Sequence, residues 1–298
     1  MIVQTIISGL SQGSVYALVG LGFTIVFTVT GIINFAQGEF VMLGGMLSWV
    51  LFRLYGIPQI PALILAVLVA TIVGAVLYLL AIRSARKASV VGLIIITIGA
   101  SILIRGVVSE IWREDFIRNG TDVVRPPYFS GETPLHFLGA SIEPQTLWIV
   151  GTTLFVAIAL HLFFSFTMVG KALRASSVNR VGAALSGINP RTMALIAFAM
   201  AAALGAIGGI VTAPQSTTWI EAGLMMGLKG FVAAAIGGFR SQLVTVVGGI
   251  SLGILEQFAI RADWGPFTSG YADAIALIVL LVVLLARSGK LAAEERTS

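Results

Sequence analysis

The chain contains no cysteine, which excludes disulfides, thiolate metal sites and a cysteine nucleophile together. Charge is scarce as well. Only 10% of the 298 residues are Asp, Glu, Lys or Arg, where soluble domains carry about 25%, so the chain lacks the polar surface to coat a globule of its length. Its two histidines, His136 and His161, stand in no metal-ligand pattern such as HExxH. The phosphate-cradling pattern G-x-x-x-x-G-K-[ST] is missing too. The Gly-Lys pairs, Gly170-Lys171 and Gly289-Lys290, have neither the earlier glycine nor the following hydroxyl residue. No close set of Ser, His, Asp or Glu suggests catalysis inside a membrane. The reading is a protein that is not an enzyme and needs no cofactor or metal. The net charge of +5 is spread along an apolar chain and builds no basic face for nucleic acid.

What is abundant is apolar. Hydrophobic residues make up 57% of the chain, and mean hydropathy is +1.01. A membrane helix needs roughly 20 apolar residues, and nine stretches come near that length: 4–30, 36–54, 58–81, 89–108, 146–167, 192–213, 224–240, 243–260 and 271–287. The fold expected is an all-α polytopic bundle of about nine membrane segments, some broken or re-entrant, forming a single transmembrane domain over 1–298. With no basic residue before Arg53, the first stretch reads as a retained span, not a secretory signal.

Basic residues collect in cytoplasmic loops. With alternating spans, Arg83, Arg86, Lys87, Lys171, Arg174, Arg180, Arg191, Arg240, Arg287, Lys290 and Arg296 fall on one side. Arg53, Arg113, Arg118, Arg125 and Arg261 fall on the other. The amino terminus is thereby expected outside and the carboxyl terminus inside. The outer loop 109–145 carries Glu110, Glu114, Asp115, Asp122, Glu132 and Glu143 and reads as a cap over the bundle, or a docking surface for an extracytoplasmic partner.

Glycines at four-residue spacing, Gly9/Gly13, Gly205/Gly209, Gly223/Gly227 and Gly249/Gly253, mark close helix packing, mostly inside the bundle. Glycines beside polar residues, at 31–39 and 237–242, mark irregular backbone, which survives at membrane depth only inside protein or beside water. Four ionisable residues fall within apolar stretches: Glu39, Arg105, Lys229 and Glu256. Each costs roughly 2.5–3.5 kcal/mol at the centre of an isolated span. Arg105, near the outer end of its stretch, is expected to snorkel. Glu39, at the inner end of the broken segment, is expected to cap a half-helix. Lys229 and Glu256 are positioned to pair.

The inner stretch 167–191 is polar and basic. A short helix is expected from Ser177 to Leu185, ended by Gly187 and Pro190. Ala183 and Ala184 beside Arg174 and Arg180 make it a compact knob at the membrane surface.

Gly13-Ser14-Val15-Tyr16-Ala17-Leu18, Gly31-Ile32-Ile33-Asn34-Phe35-Ala36-Gln37-Gly38-Glu39, Gly170-Lys171-Ala172-Leu173-Arg174-Ala175, Ala183-Ala184-Leu185-Ser186-Gly187-Ile188-Asn189 and the run Lys229–Gly238 together carry a family likeness. The chain resembles the H-type permease subunit of Liv-type, branched-chain amino acid ABC importers. The resemblance implies half of a heterodimeric pathway in a bacterial inner membrane, surrounded by lipid. It also implies a second homologous permease, two cytoplasmic ATP-binding subunits and an extracytoplasmic solute-binding protein. The knob then stands for a coupling helix touching the ATPase through Arg174, Ala175, Asn179, Arg180, Ala183, Ala184 and Gly187. The solute path would run near Asn34, Gln37, Glu39, Gln215, Lys229 and Glu256. Relatives of this type also carry urea, short amides or aromatic acids, and a self-sufficient channel or ion-coupled carrier is the rival class. Two departures stand out. Val178 replaces a common acidic or amide residue, and Arg240-Ser241-Gln242-Leu243-Val244 replaces a Gly-Ser-x-Pro-Gly turn.

Overall fold

A computed structural model describes residues 2–85, 88–113, 123–131, 133–137, 139–261 and 272–295. Glu114, Asp115, Arg118, Asp122, Glu132, Arg86, Lys87 and Arg296 lie outside them, as do the side chains of Arg113, Arg287 and Lys290.

Each of the nine apolar stretches contains a helix, though the seventh ends in a turn after Ile236. In chain order the helices are α1 (Ile2–Thr30), α2 (Gln37–Arg53), α3 (Gln59–Leu77), α4 (Val90–Arg113), α5 (Pro144–Phe166), α6 (Met168–Val178), α7 (Arg180–Leu185), α8 (Pro190–Ser216), α9 (Ala222–Ile236), α10 (Gln242–Arg261) and α11 (Ala272–Glu295). A π-helical turn, Tyr78–Ile82, extends α3. Among the described residues six helices are long and apolar enough to cross a membrane: α1, α3 with its π turn, α4, α5, α8 and α10. At 1.5 Å per residue α2 and α9 reach only about 25 and 22 Å, short of a hydrocarbon core of about 30 Å.

α1 is apolar on every side, and a helix of that kind belongs in the interior. Its most apolar window is 89% buried, and α8, α9 and α10 pack around it, with α5 alongside. The glycine pairs set these distances. A Cβ on Gly9 would come 2.5 Å from the Ile254 backbone, and one on Gly249 would come 2.6 Å from the backbone nitrogen of Ala17. Gly205 and Gly209 on α8 receive Phe40 and Val41 of α2, while Gly223 and Gly227 on α9 receive Gly38. All four pairs work inside the bundle, where close backbone approach strengthens dispersion contacts.

Between α1 and α2 the chain breaks, as its glycine and amide content suggests. Gly31 takes φ +69. The Asn34 side-chain oxygen accepts from the Ala36 amide (3.2 Å), and its carbonyl accepts from the Gln37 amide (3.1 Å). The break sits beside the body of α4: the Phe35 amide donates to Thr97 Oγ1 (3.2 Å).

At the end of α1 where the chain breaks, Arg83, Arg180 and Arg191 line one crevice and Arg174 and Arg240 another, both touching Val29. At the opposite end a two-stranded hairpin, β1 (Leu135–Phe137) with β2 (Ala140–Ile142), turns at Gly139 with φ +74. Val124 exchanges both backbone hydrogen bonds with Thr218 (2.9 Å each). Arg125 clamps the carbonyls of Pro214 (2.8 Å) and Gln215 (3.1 Å) at the end of α8. The described part of the loop is thus stapled onto the bundle. The loop also starts later than position 109, because α4 continues to Arg113.

Candidate functional site

The polar stretch 167–191 folds as two helices rather than one. α6 carries Ser177 and Val178, the chain then extends at Asn179 (φ −149, ψ 104), and α7 begins at Arg180. The expected helix from Ser177 is therefore corrected. Asn179 makes the break because its Oδ1 accepts from the Gly182 amide (2.8 Å) as an N-cap. The expected stop is found: Gly187 has φ +82, and the amides of Gly187 and Ile188 bond to the carbonyls of Ala184 (3.1 Å) and Ala183 (3.0 Å). That is a Schellman ending, followed by Asn189 capping α8 and Pro190 at its first turn.

Ala184, Arg174, Ala175, Asn179, Arg180 and Gly187 are exposed. Ala183 is 5% exposed and packs on its own chain, so it shapes the knob and offers no surface. Arg180 turns back and donates to the Val29 carbonyl (3.0 Å). Sequence reasoning overlooked the apolar content of this knob: Val178, Val181 and Leu185 are 88%, 70% and 85% exposed, with Val181, Ala184 and Leu185 at i, i+3 and i+4 on one helical face.

The expected path residues fall into three clusters. In the first, Glu39 is 1% exposed and accepts from Ser101 Oγ (2.7 Å) and Arg105 Nη2 (2.6 Å). Ser101 lies midway along α4, so Glu39 sits beside the middle of that helix and not at an inner end. Arg105 does not snorkel. Its guanidinium turns inward onto Glu39, because leaving that buried carboxylate without a cation would be strongly unfavourable. Glu39 does lie in the first turn of α2 but makes no capping hydrogen bond. Gln37 is wholly buried and donates to the Ala201 carbonyl (2.8 Å). Gly22 and Gly205 leave room for its amide. Among the described residues, Asn34 Nδ2, Gln37 Oε1 and Glu39 Oε2 have no hydrogen-bond partner.

In the second cluster Lys229 Nζ bonds to Glu256 Oε1 (2.7 Å) and Asp273 Oδ1 (2.9 Å). Tyr16 donates to Glu256 Oε2 (2.8 Å), and its ring lies 5.4 Å from the ammonium. Four helices, α1, α9, α10 and α11, are tied through one cation. The pairing of Lys229 with Glu256 is as expected from sequence. Tyr16 and Asp273 were missed, although an acidic residue in the first turn of the last stretch was a readable signal.

The third cluster is at the opposite end. Gln215 accepts from Ser11 Oγ (3.3 Å) and donates to Thr146 Oγ1 (3.4 Å). It lines a polar cavity of about 380 Å³ with Ser8, Gln12, Glu143 and Gln257. This cavity opens beside the stapled loop.

The departure at 240–244 leaves a tight turn in place. Gly238 and Phe239 take φ +64 and +56. A non-glycine residue in that region costs about 1–2 kcal/mol. Thr28 Oγ1 donating to the Phe239 carbonyl (2.9 Å) and ring contacts with Phe27 and Phe231 (5.1 and 5.2 Å) hold it.

A family model described as "Branched-chain amino acid transport system / permease component" matches residues 5–286. The chain is 31% identical to the high-affinity branched-chain amino acid transport system permease protein BraD of Pseudomonas aeruginosa, over 95% of this chain and 93% of that one. It is likewise 31% identical to LivH of Escherichia coli, covering 95% and 92%. Among solved structures, PsaBC from Streptococcus pneumoniae in complex with Fab aligns with a TM-score of 0.50 at 14% identity, over 94% of this chain and 89% of that one. That likeness speaks for the fold alone.

Proposed function

The chain belongs to the branched-chain amino acid permease-component family, a family of multi-pass membrane transport proteins and not of enzymes, and on that premise we propose that it forms one half of the solute pathway of an ATP-driven importer. It works as a single transmembrane domain in a bacterial cytoplasmic membrane, with a homologous second permease beside it. Two ATP-binding subunits dock on the end that carries α6 and α7, which makes that end cytoplasmic and places the amino terminus outside. A solute-binding protein delivers at the end that carries the Gln215 cavity. The solute is a branched-chain or other small amino acid, in keeping with what the names of the relatives state.

The observation that carries this reading is the α6–α7 knob. Three large apolar side chains stand exposed on a capped, glycine-terminated helix pair surrounded by arginines. Burying each would contribute about 1.5–3 kcal/mol, a strong incentive for a grooved partner. Work reaches the membrane through this contact, since α6 packs on α5 and α1. Solute enters at Gln215 and passes the Asn34–Glu39 break and the Lys229–Glu256 cluster as the short helices α2 and α9 shift. The unpartnered buried atoms of Asn34, Gln37 and Glu39 support that placement, because they would gain partners in another conformation.

In a reconstituted assembled complex, Ala184→Glu is expected to abolish ATP-dependent uptake while ATP hydrolysis continues. Undiminished uptake would overturn the coupling role. Gradient-driven flux through the purified chain alone, indifferent to ATP, would instead favour a self-sufficient carrier.

A further inference from the structure

The start of α5 is fixed by its neighbours. Glu143 follows β2 directly and occupies the N-cap position before Pro144. Gln145 pins the first turn, donating to the Val211 carbonyl of α8 (2.7 Å) and accepting from the Phe129 amide of the loop (3.3 Å). The Glu143 carbonyl accepts from the Thr146 amide (2.9 Å), while its side chain makes no capping hydrogen bond. The carboxylate instead lines the polar cavity of about 380 Å³ beside Gln215. Its Oε2 is buried and has no hydrogen-bond partner among the described residues.

The rest of the lining is neutral. Gln12, Gln215, Gln257, Ser8 and Ser11 present amides and hydroxyls, and no Lys, Arg or His is among the described lining residues. Arg125, at the same end, is committed to the Pro214 and Gln215 carbonyls. The side-chain contacts of Gln215, 3.3 and 3.4 Å, are longer than ordinary hydrogen bonds, so little holds this amide against turning toward a guest.

We infer that Glu143 is the residue by which this cavity selects its solute: it receives the ammonium of a small primary amine, so that α-amino acids are held there and neutral or anionic solutes are not. A carboxylate shielded from bulk water and left without a cation is costly, and a bound cation offsets that cost. An ammonium brings three donors, one for the carboxylate and two for the amide and hydroxyl oxygens around it. The bond to the carboxylate is charge-assisted, roughly twice as strong as a neutral one. A divalent metal suits the lining poorly, since calcium takes about 6–8 oxygen ligands, carboxylates among them, and only one carboxylate is present among the described lining residues. The volume lies at the low end of ligand pockets, about 300–1,000 Å³, which suits a solute of a few carbons. With no basic residue in the described lining, the solute's own carboxylate goes unread: the site recognises one end of an amino acid only. The inference rests on the pathway reading above and adds the group at which selection acts.

The test is saturation-transfer NMR on the full chain in detergent at neutral pH. The probes are L-leucine, 3-methylbutylamine, which keeps the ammonium and lacks the carboxylate, and 4-methylpentanoate, which keeps the carboxylate and lacks the ammonium. Leucine and the amine are expected to bind comparably, and 4-methylpentanoate is expected not to bind. Glu143→Gln is expected to weaken both binders at least 10-fold, on the order of one lost charged hydrogen bond. Glu221→Gln, at an exposed carboxylate between α8 and α9 that does not line the cavity, is expected to leave both unchanged. Equal binding of the amine and the acid by the wild-type chain overturns the inference even if the variants do not fold. So does equal weakening in both variants, which means general surface attraction, and so does displacement of the amine by millimolar sodium, which means a site for an inorganic cation. In the assembled complex, unchanged leucine uptake with Glu143→Gln overturns the inference alone. Absence of ATP-driven uptake by the wild-type complex overturns the pathway reading, and amine selectivity of the isolated chain then still upholds the site.

Discussion

Replacing Lys229 by Met removes one charge and little volume, and it tests whether the buried cluster behaves as a coupled unit. In the wild-type chain the ammonium faces Glu256, 4% exposed, at 2.7 Å and the half-exposed Asp273 at 2.9 Å. Without Lys229, Asp273 is screened by whatever wets it, and its loss of a partner costs at most about 1 kcal/mol. Glu256 has no such outlet. It keeps the Tyr16 hydroxyl (2.8 Å) but no cation, and stripping one partner from a buried pair costs about 3–5 kcal/mol. The surviving hydroxyl argues for the low end, about 3 kcal/mol, or on the order of 100-fold in the unfolding equilibrium. Glu256→Met is expected to cost less, since Lys229 retains Asp273. The double variant leaves Tyr16 and an apolar pair, so it should lie near the wild type. The assay is unfolding in mixed micelles by titrated SDS, followed by tryptophan fluorescence, for wild type, both single variants and the double. With the double near the wild type, the expected coupling equals the sum of the two single effects, at least about 3 kcal/mol. Single effects that add to the double within about 0.5 kcal/mol would refute the idea of a shared cluster.

Two further outcomes follow from packing and exposure. Gly209→Leu drives a side chain into the Val41 backbone and separates α2 from α8, so folded yield in detergent should fall sharply, while Gly151→Leu, facing open space, should be tolerated. The absence of native cysteine makes Val181→Cys a clean reporter. A membrane-impermeant maleimide should label it in inside-out vesicles and not in right-side-out ones, and added ATPase subunits should protect it. Labelling from the outside would reverse the proposed orientation.

Much of the helical framework was readable because apolar runs and glycine spacing are local. The nine stretches, the stop at Gly187 and Pro190, and the break at 31–36 each follow from backbone chemistry within a few residues. The Asn179 break was equally local and was passed over, since Asn reads as a polar loop residue until its side chain is seen capping Gly182. Arg105 is the opposite case. Snorkelling and inward pairing look alike along a helix, and the deciding carboxylate is 66 residues away.

Residue type and short spacing therefore determined that this chain lives in a bilayer, carries no thiol and is built from close-packed helices. Tertiary structure decided which charges meet, which face of the knob is bare, and that three arginines from distant segments share one crevice. A desolvated charge settles according to whatever lies within about 4 Å of it, and that neighbourhood exists only once the chain has folded.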